Sequence, residues 1–133
     1  MLKKTMTYVD YDGNERTEDF YFNLNKAEIL EMELGISGGL ENFLQRIIDA
    51  KDVPELASIF KKIILKSYGI KSLDGKRFMK SQEYIDEFVQ TEAYSDLYTE
   101  LCTDADKAAA FINAIVPKIG DENNKPSAVE NNK

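Results

Sequence analysis

Two runs near the start of the chain, residues 5–10 (TMTYVD) and 17–22 (TEDFYF), are rich in β-branched and aromatic side chains. Asp12-Gly13-Asn14 lies between them. Apolar-rich runs around an Asp-Gly turn predict a β-hairpin over about residues 4–23. A lone hairpin is marginal in water, so its apolar face must lie on something, and the helices that follow are the candidates.

From residue 25 the period changes to that of a helix. Asn25-Lys26-Ala27-Glu28 has the form of an N-cap with a glutamate three residues on, and predicts a helix running to Leu34 and stopping at Gly35. After Gly38-Gly39, the spacing of Leu40, Phe43, Leu44, Ile47 and Ile48 predicts a second. Asp52-Val53-Pro54 opens a third, with Leu56, Ile59, Phe60, Ile63 and Ile64 on one face and Gly69 as its stop. Residues 70–80 read as an excursion around Asp74-Gly75, a candidate small hairpin. Ser81 and Thr91 are candidate caps for helices over about residues 82–90 and 92–102. Thr103 or Asp104 opens the last helix, which turns Ala108, Phe111, Ile112 and Ile115 inward and ends at Pro117. Residues 118–133 show no periodicity and are expected to form a disordered polar tail. The expectation is an α+β fold, mostly α: one domain over residues 1–117, with helices over about residues 25–116. Its hairpin packs on a bundle of five to six short helices.

Composition narrows the function classes. At 43% apolar, the 133 residues can bury a core without disulfide or metal staples. One cysteine, Cys102, allows no intrachain disulfide. Histidine is absent, which removes the commonest side chain for proton transfer near neutral pH and for binding transition metals. The opening MLKKTMTYVDYDG has no apolar run behind its lysines, so neither a signal peptide nor a membrane span is expected. With 24 acids against 17 bases, general nucleic-acid binding is not expected either.

Charge is segmented along the chain. Residues 54–80 carry +5, whereas residues 81–106 carry eight acids and no base, more negative than the whole chain at −7. Residues 1–53 carry −5 and residues 107–133 carry +1. Segregation of this kind bears on partner choice rather than on fold.

Catalytic and ligand motifs fail on spacing. Counted from Asp10 as a calcium loop, the glycine and glutamate places hold Glu15 and Tyr21. The run Gly35-Ile36-Ser37-Gly38-Gly39 lacks the lysine and hydroxyl of a phosphate-binding loop. Ser37, Ser58, Ser67 and Cys102 have no histidine to activate them, and Ser67 next to Lys66 points elsewhere on a helix. Cys102 reads as a small apolar residue beside Leu97, Tyr98 and Leu101. No cofactor or metal is expected.

Glu92, Asp96 and Glu100 recur every four residues and share one helix face. That stripe is, in order of preference, a solvated face, an electrostatic docking face, or a catalytic or metal site. Tyr94 and Tyr98 flank it, and Tyr84 and Phe88 repeat the spacing one helix earlier. The aromatics either complete the core or offer a wet-edged interface. The candidate partner-binding residues are therefore Tyr84, Phe88, Glu92, Tyr94, Asp96, Tyr98 and Glu100.

The run TMTYVDYDGNERTEDFYFNLNKAEILEMEL resembles the opening of tail assembly chaperones from long-tailed phages and prophages of Gram-positive bacteria. The likeness continues through IIDAKDVPELASIFKKIILKSYGIKSLDGKRFMKS and FVQTEAYSDLYTELCTDADKAAAFINAIVP. The resemblance implies a non-enzymatic role, with no active-site residue to carry over. It implies binding to the apolar, helical tape measure protein, release to polymerising tail tube protein, and absence from the finished virion. It also implies action in the host cytoplasm and, in many members, a longer form made by ribosomal frameshifting. Alternating charged segments favour self-association, because unlike surfaces pair head to tail. The rival reading is a small acidic inhibitor that mimics nucleic acid through residues 83–106, which the adjoining basic segment disfavours.

Overall fold

The computed structural model describes residues 1–34, 49 and 53–116. The expected second helix with its glycine-rich approach, the Asp52 cap, the Pro117 stop and the 118–133 tail lie outside the described residues. Within them run β1 (Leu2–Val9), β2 (Glu15–Phe22), α1 (Lys26–Leu34), α2 (Val53–Ser67), β3 (Tyr68–Lys71), β4 (Phe78–Met79), α3 (Gln82–Val89), α4 (Glu92–Thr103) and α5 (Ala105–Ile115).

The first hairpin pairs Leu2 with Phe22 through Val9 with Glu15. Its turn is tied by Asp10, whose carboxylate accepts from the backbone N–H of Asp12 and Asn14 at 2.9 Å and from Arg16 Nε at 2.6 Å. Gly13 takes φ 84°, where a side chain would be strained. The sheet does not stop there. β3 adds antiparallel to β2 (Tyr21 with Gly69, Phe22 with Tyr68), and β4 adds to β3, giving the order β1-β2-β3-β4. The expected hairpin on helices is thus the first half of a four-stranded sheet.

That extension changes the role of Gly69. Expected as a helix stop, it is a strand residue: α2 passes straight from Ser67 into β3 at Tyr68. A Cβ there would lie 2.7 Å from Phe78 Cε2 and 3.0 Å from the Met79 carbonyl oxygen, so the adjoining strand leaves no room for one. Glycine is required by close approach rather than by backbone angle.

Capping follows the sequence closely. Glu28 N–H donates to Asn25 Oδ1 at 2.8 Å and Asn25 N–H to Glu28 Oε1 at 2.9 Å, a reciprocal box that starts α1. Asp104 accepts from the N–H groups of Asp106 and Lys107 and starts α5. Ser81 occupies the cap position of α3, but its hydroxyl makes no capping bond.

The core lies between the sheet and the helices. Phe20 and Phe22 of β2 meet Phe60, Ile63 and Ile64 of α2, Leu97 and Leu101 of α4, and Phe111, Ile112 and Ile115 of α5. Each such side chain contributes about 1.5–3 kcal/mol by leaving water. Two backbone bonds close the assembly: Asn23 N–H to Ser67 O and Leu24 N–H to Ile115 O, both at 2.8 Å. Lys80 adds a polar clasp. Its ammonium reaches Glu28 Oε1 and Oε2 at 2.8 Å, the Asn23 carbonyl at 2.7 Å and the Lys66 carbonyl at 2.9 Å.

Candidate interaction surface

Thr91 sets the relative placement of α3 and α4. Its hydroxyl donates to the Phe88 carbonyl at 2.7 Å and accepts from Tyr94 N–H at 3.2 Å. The turn leads Phe88 and Tyr94 inward together, their rings edge-on at 5.6 Å. Phe88 is only 2% exposed and stacks on Tyr68 at 4.2 Å, with Phe20 and Phe22 against it. Tyr94 is also buried and stacks on Tyr98 at 5.7 Å. Tyr98 is half-buried and donates its hydroxyl to the Ala57 carbonyl at 2.8 Å, which ties α4 to α2. Burial pushes the phenols of Tyr94 and Tyr98 up, since the phenolate would be poorly solvated there. Of the four candidate aromatics, Tyr84 is the one that stands half-exposed without a ring partner among the described residues.

The acidic stripe runs beside β1, in the opposite direction. At one end, Tyr11 beyond the end of β1 donates its hydroxyl to Glu92 Oε2 at 2.9 Å, and the neighbouring carboxylate holds the Tyr11 phenol above its usual range. At the other, Glu100 lies 3.5 Å from Lys4 Nζ and 3.2 Å from Lys107 Nζ. Asp96, between them, is exposed and forms no ion pair among the described residues. Helix spacing brought the three acids to one face; the hairpin then partnered the two outer ones. Lys4, Tyr11 and Lys107 were not anticipated. Lys4 carried a signal: it shares the inward side of β1 with Leu2, Met6 and Tyr8, an unusual place for an ammonium.

A shallow groove lies between β1 and α4, walled by Lys4–Thr7 on one side and Asp96, Leu97 and Glu100 on the other. It continues into a cavity of about 480 Å³ with an apolar floor of Leu2, Leu101, Ala110, Phe111 and Ala114 and a charged rim of Lys4, Glu100 and Lys107. Cys102 is half-buried against the core, and burial pushes its thiol up, away from the reactive thiolate. Ser67 is fully buried and donates to the Ile64 carbonyl at 3.2 Å. Among the described residues no group of acids or cysteines is placed to hold a metal ion, and no helix is long and apolar enough to cross a membrane.

The positive charge lies on α2 and around the β3–β4 turn. Lys61, Lys62 and Lys66 on α2, and Lys71, Lys76 and Arg77 around the β3–β4 turn, are exposed, while Lys80 is drawn into the clasp. The +5 segment therefore splits into one structural lysine and six surface bases.

Over residues 1–131 the chain matches the model of a family described as phage tail assembly chaperone. The protein belongs to that family, one of assembly helpers rather than known enzymes. No curated protein and no solved structure matches the chain.

Proposed function

We propose that this protein binds the tape measure protein of its phage and keeps it soluble until tail tube protein replaces it, without catalysis. The observation that carries the reading is family membership over nearly the whole chain. The exposed bases of α2 and the β3–β4 turn, set against exposed acids at Glu83, Asp86, Glu87 and Asp96, are in keeping with it. Such unpaired charge keeps a client complex soluble and lets copies of the chaperone associate around a long client. On this reading the protein works in the cytoplasm of a Gram-positive host, is left out of the virion, and has a frameshifted longer form. It acts as one domain over residues 1–117, and client contact includes Tyr84 and the exposed parts of α3 and α4. Co-expression with overlapping tape measure segments tests it. At least one segment should become soluble and co-purify; if every segment stays insoluble and unbound, the reading fails.

A further inference from the structure

The β3–β4 turn presents Leu73 fully exposed, the most exposed large apolar side chain among the described residues. A leucine on a floppy loop would mean little, but this loop is held from inside. Ser72 N–H donates to Arg77 O and Gly75 N–H to Ser72 O, both at 2.9 Å. The Ser72 hydroxyl donates to Asp74 Oδ1 at 2.7 Å and accepts from Arg77 N–H at 3.0 Å. Asp74 also accepts from Lys76 N–H at 3.0 Å, and Gly75 takes φ 76° to close the turn. The backbone that carries Leu73 is thus held in place, which lowers the entropy cost of docking it. Around it stand Lys71, Lys76 and Arg77, all exposed and without ion pairs among the described residues.

The complementary feature lies at the other edge of the sheet. The order β1-β2-β3-β4 puts this turn at the β4 side and the apolar cavity with its acidic groove at the β1 side. The cavity's floor is apolar, with the mutually paired Lys4, Glu100 and Lys107 at its rim, and Asp96 in the adjoining groove has no ion pair among the described residues. One surface has a protruding leucine ringed by bases; the other has an apolar recess beside an unpaired acid. On a single chain they face different neighbours.

We infer that the β3–β4 turn of one copy docks into the trough between β1, α4 and α5 of the next, with Leu73 entering the apolar cavity and Lys76 or Arg77 meeting Asp96. This rests on the proposed self-association and names its surfaces. The contact is heterologous, so each copy keeps a free turn and a free trough, and the array grows as a ring or an open spiral.

The test is analytical ultracentrifugation of the full chain, without client, across concentration and salt. Wild type should form a ladder of species that shortens in high salt, where charges are screened within about 3 Å. Leu73→Glu removes the knob and Ala114→Arg fills the trough; Leu73 and Ala114 are both exposed, so neither variant disturbs the core. Each alone should weaken association by about thirtyfold or more. Mixed, they should stop at a heterodimer, because the intact turn of one fits the intact trough of the other. Assembly that survives Leu73→Glu overturns the docking and leaves self-association standing. Assembly lost only in Ala114→Arg assigns the trough to some other segment. A mixture that stays monomeric overturns the head-to-tail geometry, and a wild type that is monomeric throughout overturns self-association itself.

Discussion

Lys80 and Glu28, 52 residues apart, meet ammonium to carboxylate with both oxygens at 2.8 Å. The same ammonium satisfies the carbonyls of Asn23 and Lys66, so one side chain fastens the end of β2, the start of α1 and the end of α2. Burial works against the charge and holds the Lys80 pKa below its usual value, despite the glutamate. Lys80→Met would strand a half-buried carboxylate and two carbonyls. The expected loss is about 2–3 kcal/mol in urea unfolding. A loss under half a kcal/mol would mean that water replaces the ammonium.

Gly69→Ala should destabilise by about 1–3 kcal/mol, because the new methyl meets the Phe78 ring and the Met79 carbonyl. Phe78→Ala in the same chain should recover part of the loss. Additive losses in the double-mutant cycle would show that the ring is not the obstacle.

Tyr8 donates to Glu18 Oε1 at 2.6 Å, and this bond, with burial and the carboxylate's charge, pushes its phenol up to about 12 from 10.0. A folded-state pKa above the unfolded one means that the proton is held more tightly in the fold. The stabilisation is complete below pH 10 and is lost as pH rises toward 12. In ultraviolet titration the late-ionising absorbance, to which the raised phenols of Tyr11, Tyr94 and Tyr98 also contribute, should shift in part to lower pH in Glu18→Gln. No movement would assign the late phenol elsewhere.

Phe88 and Tyr84 lie four residues apart on one helix and should respond differently. Phe88→Ala empties a core site and should cost about 3–5 kcal/mol. Tyr84→Ala should leave the melting temperature nearly unchanged and reduce client capture in a pull-down. Equal capture by Tyr84→Ala would remove that residue from the proposed contact.

Hairpin, caps and inward helix faces were legible because they are local. Asp-Gly turns, an Asn-x-x-Glu box and 3.6-residue spacing each act within a few positions of themselves. The joining of β3 to β2 was not legible, because two residue pairs of register leave no periodic trace. Gly69 misled for the same reason: its constraint is a ring nine residues on, in the next strand. The acidic stripe was placed correctly on one face, but which acids would be partnered depended on the hairpin lying alongside α4. Phe88 and Tyr94 had the spacing of both a core and an interface, and only the sheet above them decides between the two.

The Leu24 to Ile115 backbone bond also has a consequence in time. The hairpin can form within microseconds, but the covering for Phe20 and Phe22 comes from residues up to 115. A chain emerging from the ribosome at about 5–20 residues per second therefore leaves these aromatic side chains incompletely covered for several seconds. During that interval the nascent hairpin is itself an aggregation hazard, and the distance from Leu24 to Ile115 in sequence sets how long the hazard lasts.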